Sequence, residues 1–140
     1  APASIAGITA AIQTTCAETP PFSVAARGLG VFPDPRRPRV LWAGIEDAGP
    51  LIELQRRLAG PLKRCGVELD SRSYRPHLTL ARFRKPLRRQ SLSFLRTILL
   101  AEQRDFASVP VGEVRLHRSE LLPGGPRYTV LSTAPLIRPL

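Results

Sequence analysis

The sequence predicts an α+β protein in which antiparallel strands are flanked by helices. Helical and strand-like segments interleave along the 140 residues, and the last two strand-like segments are joined by a short turn at residues 123–126. Short turns join antiparallel strands, whereas parallel strands need long crossovers. The length and the 43% hydrophobic content are typical of one globular domain with its own core. We therefore expect a single domain over residues 1–140.

Apolar residues at spacings of three and four predict helices, and alternating or β-branched and aromatic runs predict strands. In chain order the predicted elements are a helix over Ala3–Thr19, strands over Phe22–Phe32 and Arg39–Ile45, a helix over Pro50–Cys65, a strand over Tyr74–Phe83, a helix over Pro86–Glu102, and strands over Val109–Leu121 and Tyr128–Pro135.

Prolines and glycines set the element boundaries. Pro20 and Pro21 end the first helix, and Pro86 is well placed to begin the third. Pro61 is expected to kink or divide the second helix. Within the first strand, Gly28–Gly30 predicts a bulge or the close approach of another group to the backbone.

The segment Arg75–Arg82 contains the pattern His77-Leu78-Thr79-Leu80. Side chains alternate between the two faces of a strand, so the histidine and threonine share one face while the leucines are expected to enter a core. An imidazole can move a proton and a hydroxyl can hold an oxygen, which together suit the handling of a phosphate. H-x-T-x alone recurs by chance, and its basic surroundings make the pattern more informative.

The chain is strongly basic, with 21 lysines and arginines against 11 acids and a net charge of +10. No acid lies between Arg72 and Arg89. Because arginine donates two parallel hydrogen bonds to phosphate, this bias predicts a polyanionic partner, most simply nucleic acid. The alternative is a GC-rich genome that favours arginine on solvated surfaces. Likewise Arg36, Arg37 and Arg39 form either an RNA-facing patch or a solvated turn.

Three segments, GLGVFPDPRRPRVLWAGI, RPHLTLARF and HRSELLPGGPRYTVL, resemble the bacterial and archaeal RNA 2′,3′-cyclic phosphodiesterases, also called 2′-5′ RNA ligases, of the 2H phosphoesterase superfamily. This resemblance implies a bilobal α+β fold in which two pseudo-symmetric lobes each supply one H-x-T-x strand. It implies hydrolysis of RNA 2′,3′-cyclic phosphate ends, tRNA fragments among them, to 2′-phosphomonoesters. No metal or other cofactor is implied, and 2′-5′ ligation would be the reverse reaction.

By this resemblance His77 and Thr79 are catalytic and match the second H-x-T-x motif. One histidine of such a pair takes a proton from water, the other protonates the leaving ribose oxygen, and threonine hydroxyls hold the non-bridging oxygens. Arg82 and Arg75 would contact the substrate, and Phe83 would either stack on the terminal base or pack at the cleft rim. Strand parity groups Phe83 with His77, so a role for Arg82 requires the strand to twist or end.

The first H-x-T-x motif of the family is absent from this sequence. The only other histidine, His117, lacks a threonine two residues later and is expected to be an ordinary strand residue. We therefore expect that about the first quarter of a usual family member is missing, that the N-terminal lobe is incomplete and that activity is severely impaired. A monomer is expected for the full family fold, whereas a dimer of this chain would bring two copies of His77 together.

Two functions remain open, a cyclic phosphodiesterase and a non-catalytic RNA-binding remnant, and a phosphoesterase acting on a cyclic nucleotide or ADP-ribose derivative is a third. A cytoplasmic, membrane-free location is expected, because no segment approaches the roughly 20 apolar residues of a membrane span. The N-terminal residues also lack the basic start of a signal peptide. Cys16 and Cys65 are expected to be buried thiols. Trp42 is expected to pack in the core, and the alternative is that it stacks on a base.

Overall fold

The computed structural model describes residues 3–138 and confirms the α+β class. In chain order the elements are helix α1 (Ile5–Ala17), strands β1 (Phe22–Phe32) and β2 (Val40–Glu46), helix α2 (Gly49–Arg64), strand β3 (His77–Arg82), helix α3 (Arg89–Ala101), and strands β4 (Asp105–Val111), β5 (Glu113–Leu122) and β6 (Gly125–Pro135). A four-stranded sheet has the order β3-β2-β1-β4, and β5 pairs with β6 in a second sheet. The pairs β1–β2, β2–β3 and β5–β6 are antiparallel.

Several element bounds differ from the prediction by a few residues, and three differences change the description of the fold. Helix α3 begins at Arg89 and not at Pro86, because Arg88 takes an extended backbone that breaks the helical path between them. The predicted strand Val109–Leu121 is interrupted at Gly112, and its first part belongs to β4, which begins earlier than predicted. Helix α2 runs through Pro61 without division.

The described chain forms two compact units, each built from separate segments. The first unit contains α1, α2, β5 and β6, and the second comprises Ser23–Gly49 and Tyr74–Val109, with β2, β3, α3 and most of β1 and β4. The core of the first unit consists of Ile12, Cys16, Leu54, Ala134 and Leu136. None of the three helices in residues 3–138 has both the length and the apolar character needed to cross a bilayer.

The two cysteines belong to the first unit and both are free thiols. Cys16 is fully buried, and burial raises the pKa of its thiol. Cys65 is half-buried, and its Sγ lies 3.4 Å from the carbonyl oxygen of Gly7. Because the thiolate is the reactive form, burial and the raised pKa both lower the reactivity of the Cys16 thiol in the folded chain.

In the second unit, the two faces of the sheet differ. The register places the buried side chains of Ala26, Val31 and Ala43 on one face and the side chain of Trp42 on the other. Strand β3 lies at the edge and pairs only with β2. The expectation that the leucines of β3 enter a core is wrong: Leu78 and Leu80 are 54% and 51% exposed. An edge strand has neighbours on one side only, so no second strand shields these side chains.

Candidate active site

His77 is the first residue of β3, and its imidazole is exposed but oriented by the preceding backbone. Its Nδ1 lies 2.6 Å from the carbonyl oxygen of Arg75. A carbonyl oxygen only accepts hydrogen bonds, so Nδ1 carries the hydrogen and donates it. The Nε2 atom is therefore the nitrogen left to exchange a proton with a ligand.

Two aromatic side chains pack around this imidazole. The ring of Phe32 meets it edge-on, with centroids 5.1 Å apart and an interplanar angle of 87°. The centroid of the Trp42 indole lies 6.5 Å from the centroid of the imidazole and 5.2 Å from that of the Phe32 ring. The edge-to-face contact between Phe32 and His77 is favourable at this distance, and the two Trp42 pairs are tilted, at 38° to Phe32 and 58° to His77. The sequence analysis did not identify Phe32 as a site residue. The one sequence feature that could have suggested it is its position at the end of a predicted strand, two residues after Gly30.

Trp42 reaches this position because β1 offers no side chain opposite it. Gly30 is the register partner of Trp42, and a Cβ atom on Gly30 would overlap the six-membered ring of the indole. The register shifts between Arg27 and Leu29, which leaves Gly28 as an extra residue with φ +66°. The predicted bulge and the predicted close approach are both confirmed. Trp42 is half-buried and packs against His77, so it is not the plain core residue that was expected.

The indole nitrogen of Trp42 is the one buried side-chain polar atom without a hydrogen-bond partner within residues 3–138. A buried donor without a partner costs about 1–3 kcal/mol. The Trp42 position is therefore held by ring packing against Phe32 and His77 and not by a polar contact. The unpaired N–H therefore belongs to a ring whose centroid lies 6.5 Å from that of the candidate catalytic histidine.

A bulge in β3 brings Arg82 onto the face of His77. Thr79 pairs with Trp42, Ala81 pairs with Leu41 and Arg82 pairs with Val40, so Leu80 is an extra residue. Because partners in a register point to the same side, Arg82 shares a face with Val40 and Trp42, as do Thr79 and His77. We call the surface formed by Phe32, Trp42, His77, Thr79 and Arg82 the histidine face.

The bulge removes the parity argument for Phe83. This residue follows the end of β3 and is half-buried, and its backbone N–H donates to the carbonyl oxygen of Arg39 at 2.9 Å. The extra residue Leu80 reverses the alternation of side chains between the two faces. As a result, Arg82 and not Phe83 shares the face of His77. Arg75 contributes its carbonyl oxygen to the imidazole, while its guanidinium is exposed and forms no ion pair within residues 3–138. A substrate contact by Arg75 or Phe83 stays a prediction.

The cation Arg72 is already paired, in the segment that precedes β3. Its guanidinium donates to the Asp70 carboxylate at 2.5–3.0 Å, and this holds the pKa of that carboxyl well below its usual range, at about 2. Burial raises the pKa of the Tyr74 phenol. Within the described chain no ion pair involves Arg82, so its guanidinium is available to a ligand.

His117, the second histidine, belongs to the first unit. It lies on β5 opposite Val130, is exposed, and meets the ring of Tyr128 edge-on with centroids 6.4 Å apart. Its neighbours on β5 and β6 do not repeat the surroundings of His77. Among residues 3–138, no three His, Cys, Asp or Glu side chains are grouped as ligands of a metal ion.

Comparisons with known proteins agree with this fold. The sequence pattern of the 2′-5′ RNA ligase superfamily matches residues 1–121. An RNA 2′,3′-cyclic phosphodiesterase of Methanothermobacter thermautotrophicus is 42% identical over 109 residues, which are 78% of this chain and 58% of that protein. A protein of the same name from Geobacillus stearothermophilus is 31% identical over 136 residues, 97% of this chain and 42% of that protein.

A crystal structure of a Thermus thermophilus protein superposes with a TM-score of 0.74 at 28% identity and covers 96% of this chain and 70% of that one. The chain thus spans about half the length of the curated relatives that it matches.

Proposed function

Because the chain belongs to the 2′-5′ RNA ligase superfamily, we propose that it acts on RNA that ends in a 2′,3′-cyclic phosphate and hydrolyses this end to a 2′-phosphomonoester. The observation that carries the proposal is the orientation of His77. Its Nδ1 is bound to the Arg75 carbonyl, its Nε2 has no hydrogen-bond partner among residues 3–138, and a hydroxyl and a guanidinium share its face. The relatives named RNA 2′,3′-cyclic phosphodiesterase support the choice of substrate.

In the proposed reaction a water oxygen forms a bond to phosphorus while the bond from phosphorus to the 3′ oxygen breaks. The water loses a proton and the 3′ oxygen gains one, so the product carries a 2′-phosphate and a 3′-hydroxyl. His77 performs one of these two proton transfers through Nε2. With the 5′ hydroxyl of a second RNA as the nucleophile in place of water, the P–O5′ bond would form while the P–O3′ bond breaks, and the same residues would serve 2′-5′ ligation.

Thr79 and Arg82 stabilise the charge that develops on the phosphate. The Thr79 hydroxyl donates to a non-bridging oxygen, and the Arg82 guanidinium donates two parallel hydrogen bonds to the same group. Both side chains are exposed and share a face with His77. Phe32 and Trp42 act on the reaction through the imidazole and are positioning residues.

The sequence contains one H-x-T-x motif, so we propose that a single chain turns over slowly. A group that transfers a proton in the transition state contributes about 10²–10⁴-fold to the rate. A self-associated form that presents two copies of His77 to one phosphate would recover part of this factor. Turnover that rises more than linearly with protein concentration, in step with a dimer seen by analytical ultracentrifugation, is the expected sign of it.

The first experiment incubates the purified chain with a short RNA that ends in a 2′,3′-cyclic phosphate and follows the 2′-phosphate product by ³¹P NMR. We expect His77→Ala to lower the rate by at least about 10²-fold. His117→Ala is the matched control, because it removes the other exposed histidine, and it should leave the rate unchanged. Equal rates for the wild type and His77→Ala would refute the proposal, as would equal losses in both variants.

A second candidate function is RNA binding without turnover, and the unpaired cations favour it. Arg75, Arg82 and Arg84 form no ion pair among the residues that the structure describes. Under this alternative the wild type produces no 2′-phosphate, and His77→Ala leaves the affinity for the RNA unchanged. Fluorescence anisotropy with labelled RNA, measured beside the ³¹P assay, separates the two functions.

A further inference from the structure

The turn between β1 and β2 carries three arginines whose charge nothing in the described chain neutralises. The ion pairs of residues 3–138 use Arg27, Arg56, Arg57, Arg72, Arg104, Arg115 and Arg127. None of these ion pairs, and no side-chain hydrogen bond in the described residues, involves the guanidinium groups of Arg36, Arg37 or Arg39. Three like charges on one turn repel each other, so an anion bound between them would lower the free energy.

The nearest acid does not neutralise them, because its carboxylate serves the backbone. Asp34 Oδ1 accepts hydrogen bonds from the backbone N–H of Arg36 at 2.7 Å and of Arg37 at 3.2 Å. The backbone N–H of Arg39 donates to the Phe32 carbonyl at 2.7 Å and closes the turn. Three prolines within residues 33–38 further restrict the backbone. The turn is thus ordered before any ligand arrives, which lowers the entropy cost of binding.

These arginines line a pocket together with an apolar surface. A cavity of about 230 Å³ is bounded by Arg36, Arg37, Pro38, Arg39, Pro86 and Leu87. Its volume lies below the roughly 300 Å³ of the smaller pockets that enclose drug-sized ligands, so it suits a phosphate group and not a whole nucleotide. The proline and leucine side chains add apolar surface to the lining, and electrostatic attraction strengthens where apolar groups lower the local dielectric constant.

The pocket lies beyond the Arg82 end of the histidine face, within the same unit. The backbone of Phe83 is bonded to Arg39, and Arg82 pairs with Val40, the next residue of β2. His77 pairs with Gly44, four residues further along β2, which corresponds to roughly 13 Å at about 3.3 Å per residue. A strand of RNA whose terminal phosphate meets His77 can therefore continue past Arg82 toward the three arginines.

We propose that this pocket binds a backbone phosphate of the RNA on the 5′ side of the reacting end. The inference rests on the proposed function, because it takes the terminal phosphate to lie at His77. It makes the chain selective for RNA of several nucleotides over a terminal mononucleotide or dinucleotide. Arginine is suited to this task because its planar fork matches two phosphate oxygens.

The test measures affinity by fluorescence anisotropy for a single-stranded hexanucleotide and for a dinucleotide, both ending in a 2′-phosphate so that no turnover occurs. The pocket variant is Arg36→Gln/Arg37→Gln/Arg39→Gln. The matched control is Arg64→Gln/Arg96→Gln/Arg118→Gln, which removes the same charge from exposed arginines that form no ion pair in the described chain. Circular dichroism verifies that each variant is folded, and Arg37→Gln alone replaces the triple variant if it is not.

We expect the pocket variant to lose about 10- to 100-fold in affinity for the hexanucleotide and to keep its affinity for the dinucleotide. The slope of log affinity against log salt should fall by about 0.7 for each phosphate that the variant no longer binds. Equal reductions in affinity in the pocket and control variants would mean that only total charge matters, and would overturn the proposal. Displacement of the hexanucleotide by micromolar tripolyphosphate would overturn the assignment to RNA in favour of a free polyphosphate.

The failure of this inference is distinguishable from the failure of the proposed function. Suppose that hydrolysis of a dinucleotide ending in a 2′,3′-cyclic phosphate depends on His77, while the affinity for the hexanucleotide is the same in the wild type and the pocket variant. This result would support the proposed function and refute the phosphate site in the pocket. If the pocket variant binds the hexanucleotide more weakly but the wild type hydrolyses no cyclic phosphate end, the phosphate site would be supported and the proposed enzymatic function refuted.

Discussion

Arg82 lies on the same face of the sheet as His77, although an odd number of positions separates the two along the strand. The extra residue Leu80 makes this possible, because it takes no partner on β2 and reverses the alternation after Thr79. The side chains of Arg82 and His77 therefore project from the same face of the sheet. The bulge is thus part of the candidate site, although Leu80 itself contributes no functional group.

Deletion of Leu80 tests this relationship. Without the extra residue, four positions separate Arg82 from His77, so strict alternation keeps Arg82 opposite Val40 and on the face of His77 and Thr79. We expect the deletion to keep kcat/KM for a cyclic phosphate end within about 10-fold of the wild type, and we expect Arg82→Gln in the same chain to lower it about 10²-fold. A loss of about 10²-fold in the deletion alone, with no further loss on Arg82→Gln, would contradict the register described for β3.

Gly30→Ala tests the position of Trp42. The new methyl group would overlap the indole, so we expect a loss of about 1–3 kcal/mol in the free energy of unfolding and altered His77 imidazole signals in NMR spectra. Trp42→Ala in the same chain should relieve the clash. Gly49→Ala is the control, since nothing lies within 4 Å of its Cβ, and it should change stability by less than about 0.5 kcal/mol. Equal effects at the two glycines would contradict the packing described for Trp42.

Phe32→Leu tests the aromatic support of the imidazole. An edge-to-face pair contributes about 0.5–1.5 kcal/mol, and its loss should free the His77 ring to rotate. We expect a lower kcat with little change in KM, and a His77 ring signal that averages over more conformations. Phe94→Leu is the matched control, because Phe94 is 68% exposed on α3. Identical kinetics in both variants would remove Phe32 from the positioning residues.

The Asp70–Arg72 pair predicts a defined pH dependence. The pKa of Asp70 is lowered to about 2 from its ordinary value of 3.8 by hydrogen bonds from Arg72. A lowered carboxyl pKa adds stability that is present above pH 3.8 and is lost as the pH falls through 2. An NMR titration should find the midpoint of Asp70 near 2, and in Arg72→Gln it should find a higher midpoint that stays below 3.8, because the backbone N–H of residue 72 still donates to the carboxylate. Arg75→Gln should leave it unchanged, and a shift of equal size there would refute the pairing.

The two cysteines should differ in reactivity. Cys65 is half-buried and should react first with a thiol reagent, whereas Cys16 is fully buried, with a raised thiol pKa, and should react only on unfolding. A native chain should therefore release about one equivalent quickly and the second in denaturant, as Ellman's reagent would report. Cys65→Ser should abolish the fast phase, and a fast phase that survives in it would place Cys16 within reach of solvent.

The elements that the sequence predicted best are those marked by their own residues. Strand β1 has the predicted bounds of Phe22–Phe32. Its bulge could be predicted because the strand contains Gly28, and the structure gives this glycine a positive φ. The bulge at Leu80 could not be predicted in this way, since leucine has no preference for a bulge. Simple alternation along β3 therefore assigned Arg82 to the wrong face of the sheet. The contact of Phe32 with His77 depends on the pairing of three strands, which local patterns do not contain.

The chain passes between the two compact units four times, after Phe22, Gly49, Ser73 and Val109. No single cut can therefore release either unit with all of its parts, and no contiguous fragment contains the whole of β1–β3 with α3 and β4 unless it also carries α2. The unit that holds His77 has to assemble around segments whose partners are synthesised later. Pulse-labelling hydrogen exchange during refolding is expected to find the β1–β2 hairpin protected before β3, so that the strand carrying His77 is among the last parts of its sheet to form.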